Sequence, residues 1–227
     1  MSAIIFGATG LCGSEILKQS VASAKFKELT SVTRRELDFS SDKLKKIVEK
    51  DSSKYPELAA ASNAQVLFSS LATTRAAAGS AEKFVEIDHD INLNVAKAAK
   101  ESGTKTIVLI SSVGASASSP FLYMKTKGRL EDDVIALKFP QTIILRPGPL
   151  LGEREKSKGW LNDLSAGTFK LFHNTFIGNN VIYPIFGHEV GKAAVHLAEQ
   201  SLDESSEEPQ VKIVGGKELI SLAKSLE

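Results

Sequence analysis

Cysteine is almost absent from these 227 residues: Cys12 stands alone. One thiol cannot build an intramolecular disulfide framework, and such scarcity suits a reducing compartment. An excess of charge of either sign is missing too. Lysine and arginine number 28 against 27 aspartates and glutamates, a net charge of +1, so no basic field argues for nucleic acid as a partner. No stretch approaches the roughly 18 consecutive apolar residues of a membrane span. An apolar strand is expected from Ala3, so no cleavable presequence is expected before it. Any membrane contact is therefore peripheral. His89, His173, His188 and His196 show no H-x-x-x-H or Cys/His spacing, so no metal site is expected. What remains is the composition of an ordinary soluble globular protein, 42% apolar and 24% charged.

Apolar runs bounded by turn residues alternate with amphipathic stretches. Strands are expected near 3–6, 29–33, 46–49, 65–71, 106–111, 141–146 and 210–214. Helices are expected near 11–22, 82–102, 121–138, 160–172, 187–200 and 216–225. This alternation predicts an α/β fold of Rossmann type, a doubly wound, mainly parallel sheet with helices on both faces. A small C-terminal extension lies on the substrate side. Thr106 to Ile110 is continuously apolar, as a strand covered on both faces should be. No repeat or linker divides the chain, so residues 1–227 read as a single nucleotide-binding domain. The acidic run Asp203 to Pro209 reads as a solvated loop.

The first strand, Ala3 to Phe6, runs directly into Gly7-Ala8-Thr9-Gly10-Leu11-Cys12-Gly13, and a helix follows. A glycine turn there brings backbone N–H groups and a helix N-terminus up to a pyrophosphate. The spacing is G-x-x-G-x-x-G rather than G-x-G-x-x-G. Gly7, Thr9, Gly10, Leu11, Cys12 and Gly13 are therefore assigned to a dinucleotide, with the Cys12 thiol a small buried filler. About twenty residues on, where an NAD site usually carries an acid, the second strand ends in Arg34 and Arg35. A guanidinium pairs bidentately with a 2′-phosphate, so the expected cofactor is NADP(H). Glu36 keeps the alternative open: a strand ending one residue later would let it bind ribose as NAD sites require. The small-residue loops Ala72 to Ser80 and Gly114 to Ser119 follow strand ends, where open parallel sheets bind ligands. Leu71, Ala72 and Thr73 are assigned to the cofactor pocket, and Thr73 and Arg75 to its lining or to a solvated loop.

The chemistry is expected after the fifth strand. Tyr123 and Lys127 stand four apart on one helix face, and the preceding strand ends in Ser111-Ser112. A free phenol titrates near 10 and is a poor acid or base at neutral pH. A nearby ammonium stabilises its phenolate, and a serine hydroxyl steadies charge on a reacting oxygen. Ser112 is favoured over Ser111, since the two point to opposite faces. Pro147 and Gly148, in Arg146-Pro147-Gly148, form a turn whose backbone could reach the nicotinamide carboxamide, or a purely structural turn. Asp88 and Asp90 read as charges on an exposed helix start. Phe169, Leu171, Phe172, Phe176 and Ile177 form an apolar cluster that reads as core, pocket lining or a membrane-docking surface.

These residues resemble the atypical branch of the short-chain dehydrogenase/reductase superfamily. They are closer still to the fungal mitochondrial-proteome oxidoreductases related to the human Tat-interacting protein. The similarity runs nearly end to end. It is carried by Gly7 to Gly13, Val32 to Arg35, Leu71 to Arg75, Ile87 to Asp90, Ile110 to Gly114, Tyr123 to Gly128 and Leu145 to Gly152. The resemblance implies NADP(H), a Ser-Tyr-Lys site on Ser112, Tyr123 and Lys127, and peripheral attachment to the cytosolic face of the mitochondrial outer membrane. Two departures stand out. Leu71-Ala72-Thr73-Thr74 replaces the usual Asn-Asn-Ala-Gly, and a fourth catalytic Asn has only Asn92 and Asn94 as candidates. The expected function is NADPH-dependent carbonyl reduction or alcohol oxidation on a small-molecule substrate. The rival is an NADPH-binding regulatory or scaffold protein with little turnover. Sugar-nucleotide epimerase or dehydratase chemistry uses the same core but usually adds a larger C-terminal domain, and 75 residues follow Gly152.

Overall fold

The computed structural model describes residues 1–152, 175, 182–203 and 208–226. Among them, seven parallel strands form one sheet: β1 (Ser2–Phe6), β2 (Glu28–Thr33), β3 (Leu44–Val48), β4 (Val66–Ser69), β5 (Thr106–Ile110), β6 (Gln141–Arg146) and β9 (Gln210–Gly215). Their order is β3-β2-β1-β4-β5-β6-β9, and a short parallel pair joins β7 (Leu150–Leu151) to β8 (Ile185–Phe186). The helices are α1 (Leu11–Ala22), α2 (Tyr55–Ala61), α3 (Arg75–Ala78), α4 (Ala81–Val85), α5 (Ile91–Glu101), α6 (Leu122–Ala136), α7 (Gly187–Ser201) and α8 (Gly216–Ser225). A π-helical turn, Glu86–Asp90, joins α4 to α5. This is the expected doubly wound Rossmann-type fold.

Alternation along the strands builds two cores. Ala3 and Ile5 of β1, Val66 and Phe68 of β4, and Val108 and Ile110 of β5 face α1, α7 and α8. The intervening Ile4, Phe6, Leu67, Ile107 and Leu109 face α2, α5 and α6. A strand buried on both sides needs an unbroken apolar run, and β5 (TIVLI) is buried at every position. Gly187 and Gly191, one turn apart on α7, let that helix lie directly on α1. A Cβ on Gly187 would stand 2.8 Å from the Leu11 carbonyl, and one on Gly191 2.7 Å from Glu15 Cβ. This contact fixes where the N-terminus of α1 points.

Strand order reverses between β1 and β4, the position at which doubly wound sheets open a crevice for ligands. The expected strands and most helices occur within a few residues of their sequence ranges. Expected as one helix, 82–102 carries the π turn in its middle. Three features carry too little periodicity to read: α2, α3 and the β7–β8 pair. Each spans less than two full turns of helix or a single pair of residues. The expected helix near 160–172, His173 and the cluster Phe169, Leu171, Phe172, Phe176 and Ile177 lie outside the described residues.

Candidate nucleotide and catalytic site

The glycine turn sits at the reversal point. Gly7 adopts φ +88°, and a Cβ there would stand 2.6 Å from the Ser70 carbonyl oxygen. The Gly10 amide closes the turn onto the Gly7 carbonyl at 2.8 Å. Gly13 allows helix and strand to touch, since its Cβ would lie 2.1 Å from the Gly7 carbonyl oxygen. Gly10 caps α1 with no side-chain hydrogen bond, and no acidic residue occupies the first turn. The helix therefore presents uncapped amides and the positive end of its dipole beside an exposed Gly10. That is the donor set a pyrophosphate requires, so the residues present fit a dinucleotide. Cys12 is buried, in keeping with its reading as a filler.

At the neighbouring strand end, β2 stops at Thr33, whose hydroxyl donates to the Arg35 carbonyl at 2.8 Å. Arg34, Arg35 and Glu36 are all exposed beyond it. The later strand end that would have moved Glu36 into the ribose position does not occur.

Beyond β4, the loop carrying Leu71, Ala72 and Thr73 is fastened from two sides. Asn92 of α5 accepts from the Ser69 hydroxyl at 2.6 Å and donates to the carbonyls of Leu71 at 3.2 Å and Ile87 at 3.0 Å. The Thr73 amide donates to Asp88 Oδ2 at 2.7 Å. Asn92 thus spends its amide on backbone and Ser69, and Asn94 is exposed on the far side of the same helix. Neither is placed as a free relay group. Thr74 caps α3 by accepting from the Ala77 amide at 3.1 Å, and Arg75 is exposed.

The acid at 88 corrects the sequence reading. Expected as a charge on an exposed helix start, Asp88 is fully buried. Its Oδ1 stands 2.9 Å from Nζ of Lys127, itself buried, at an angle outside hydrogen-bond geometry. Desolvation explains the pairing: an ammonium or carboxylate taken out of water alone costs several kcal/mol, about as much as a domain can spare. The π turn is what aims it. Widening the helix by one residue turns both Asp88 and His89 inward, toward α6. His89 bonds Asp90 at 2.7 Å through Nδ1 and Asp133 of α6 at 2.8 Å through Nε2. Asp90, as expected, keeps its side chain largely in solvent.

Tyr123 and Lys127 share α6 as their spacing requires, but their surroundings differ. The Tyr123 side chain is 41% exposed, with its ring 6.0 Å from that of Phe84. Ser112 is partly exposed, its hydroxyl bonding only loosely to the Val113 carbonyl at 3.4 Å. Ser111 is buried and its hydroxyl finds no partner among the described residues. The loop after β5 folds onto the start of α6: the Ser116 amide donates to the Met124 carbonyl at 3.1 Å. Gly128 permits this, since a Cβ there would stand 2.2 Å from the Ser116 carbonyl carbon. The Val113 amide donates to the Pro147 carbonyl at 2.9 Å, tying the serine loop to the Arg146-Pro147-Gly148 turn. Gly148 packs against the backbone of Ile182 and Tyr183.

An ion pair that pattern reading missed, between Arg146 of the Arg146-Pro147-Gly148 turn and Glu131 of α6, completes this wall. Arg146 Nε donates to Glu131 Oε1 at 3.0 Å and Oε2 at 3.1 Å, and its Nη2 also bonds Oε2. Hydrogen bonding to Glu131 raises the Arg146 guanidinium further above its ordinary value. The only signal in the chain was an acid on the apolar side of α6. No cluster of potential metal ligands occurs among the described residues.

Comparison with known proteins extends these observations. The HIM1 family model matches residues 22–179. The chain is 50% identical to "Protein FMP52-1, mitochondrial" of Scheffersomyces stipitis and 49% identical to "Protein FMP52, mitochondrial" of Candida albicans, each over 100% of both chains. It is 47% identical to the protein of that name from Saccharomyces cerevisiae, over 100% of this chain and 98% of the relative. Among solved structures, UDP-glucose 4-epimerase of Thermotoga maritima with UDP-glucose superposes with a TM-score of 0.70 at 13% identity, covering 100% of this chain and 81% of that one. WbmG of Bordetella bronchiseptica in complex with NAD gives 0.68 at 18% identity, covering 100% and 77%. At such identities these structures share the fold.

Proposed function

We propose, given that the chain belongs to the FMP52 family, that it is an NADPH-dependent oxidoreductase acting on a carbonyl or alcohol group of a small molecule. One observation carries the reading. The uncapped, glycine-lined N-terminus of α1 opens at the sheet's reversal point, and Ser112, Tyr123 and Lys127 all follow β5, the serine just past its carboxyl end and the other two on α6. Arg34 and Arg35, beyond an acid-free strand end, support the 2′-phosphate form of the nucleotide. Leu71, Ala72, Thr73, Pro147 and Gly148 would line the remaining pocket. The NAD-bound neighbours of the same fold lend support to a nicotinamide nucleotide.

When bound, the nucleotide supplies or accepts the hydride. The protein residues do the rest. Ser112 Oγ donates a hydrogen bond to the substrate oxygen and orients it. The Tyr123 hydroxyl gives its proton to that oxygen during reduction and takes it back during oxidation. Lys127 supplies positive potential beside the phenol and holds the nicotinamide ribose. The test is oxidation of NADPH against a panel of carbonyl compounds, with Tyr123→Phe as control. The variant should keep NADPH binding and lose turnover; full retained activity would overturn the assignment.

A second reading has its own observation: Lys127 is tied to Asp88, and Tyr123 is 41% exposed. It makes the protein an NADPH-binding regulator with little turnover. NADPH binding with no oxidation across the panel, and a partner whose association depends on NADPH, would favour it.

The names of the relatives support a mitochondrial location. Peripheral attachment to the cytosolic face of the outer membrane is proposed with it, on the family resemblance alone; no helix among the described residues is long and apolar enough to cross a membrane. Protease treatment of intact mitochondria should degrade the protein, and alkaline extraction should release it.

A further inference from the structure

We propose that Asp88 is the positioning residue of this site: through a buried ion pair it holds the Lys127 ammonium where the nicotinamide ribose must bind. This rests on the oxidoreductase reading and adds a residue to it. Lys127 is buried, and among the described residues Asp88 is its only charged partner. The same carboxylate receives the Thr73 amide at 2.7 Å. One side chain therefore joins the loop beyond β4 to the lysine on α6, two elements with no other polar link among the described residues. The 2.9 Å approach of Nζ to Oδ1 is oblique. Coulomb attraction fixes the cation's place without committing its protons to directed bonds, which leaves them for ribose hydroxyls. The π turn serves this purpose, since π-helical insertions recur where a helix must aim a functional side chain. His89, anchored to Asp133 of α6 by the next residue of the turn, keeps that turn pressed on the lysine's helix.

Asp88→Asn separates the two duties. The amide oxygen can still accept from Thr73, while the amide nitrogen turns a donor toward the ammonium. NADPH and 2′,5′-ADP affinities would be measured by fluorescence titration and calorimetry for the unmodified protein, Asp88→Asn, Lys127→Met and the double variant. Thermal melts would report folding. Each single change should weaken NADPH binding about tenfold, the scale of one charge-assisted hydrogen bond. The double variant should be no weaker than either single one, because Asp88 acts through the lysine. Binding of 2′,5′-ADP, which lacks the nicotinamide ribose, should stay unchanged, whereas a general structural defect would weaken both ligands. Unchanged NADPH binding in Asp88→Asn overturns the proposal, as does a double variant in which the two losses multiply. Should Asp88→Asn fail to fold, Lys127→Met and the double variant decide: equal affinities support the proposal, and a threefold weaker double variant overturns it. An unmodified protein that binds no NADPH removes the oxidoreductase reading and this inference together. Normal binding with an insensitive Asp88 removes this inference alone.

Discussion

Glu131 and Arg146 form a two-pronged pair in which the acid is buried and the guanidinium keeps about a third of its surface in water, at 32%. The asymmetry makes the two deletions unequal. Arg146→Met strands a buried carboxylate and should cost about 3 kcal/mol or more. Glu131→Gln leaves an arginine that can turn to solvent, and should cost less than half of that. Urea denaturation of the two variants checks the order.

Gly13 has no room for a methyl group. A Cβ would meet the Gly7 carbonyl oxygen at 2.1 Å and Ser70 Oγ at 2.5 Å, and the nearer of these is backbone. Gly13→Ala should destabilise the protein by about 1–3 kcal/mol, the range of overpacked cores. It should also abolish NADPH binding, because α1 must retreat from the turn. Thermal denaturation and a binding titration measure the two effects separately.

Much of this was legible in the chain. Short apolar runs bounded by turn residues, such as Thr106 to Ile110, fit strands covered on both faces, and Gly7 to Gly13 announces its own turn. Legibility ended where side chains meet across elements. Asp88 looked solvated because an acid near a helix start usually is. Only the π turn and a lysine 39 positions later, at Lys127, make its burial affordable. Glu131 was unreadable for the same reason: its partner Arg146 comes from another element. Asn92 was weighed as a catalytic group, whereas its three bonds tie together the end of β4, the loop beyond it and the π turn.

That bridging by Asn92 gives a further expectation. Asn92→Ala leaves the Ser69 hydroxyl and the Leu71 and Ile87 carbonyls without their partner, and should cost about 2–3 kcal/mol. The loss appears as a lower urea midpoint. A compensating Ser69→Ala in the same chain should recover part of it.

Tyr55 predicts an alkaline limb. It is buried against Phe6, with ring centroids 5.4 Å apart, and its hydroxyl donates to the Glu49 carbonyl at 3.2 Å. Burial raises its phenol above the ordinary value of 10.0, partly offset by Arg34. A raised folded value means the stabilisation is complete below the unfolded value and is lost as pH climbs through the folded one. Tyr55→Phe should therefore be about 1 kcal/mol less stable at neutral pH. Above about pH 10 its stability should fall less steeply than that of the unmodified protein. Urea midpoints measured across that range should converge.

Arg34 and Arg35 predict coenzyme preference. Replacing both by Ala should weaken NADPH binding by about tenfold or more, as loss of charge-assisted phosphate contacts implies. NADH binding should change little. Parallel titrations with both nucleotides check this, and an equal loss for the two would remove the 2′-phosphate assignment.

The π turn between Phe84 and Ile91 also has a bearing on descent. Deleting residue 86, 87, 89 or 90 would rewind the segment as ordinary α-helix, and each residue carries about 100° of rotation. Helix length and hydropathy would hardly change, yet the carboxylate would swing away from its lysine. Among relatives, a one-residue gap in this stretch therefore matters more than most substitutions. It marks lineages in which the lysine has found another counterion or given up its task.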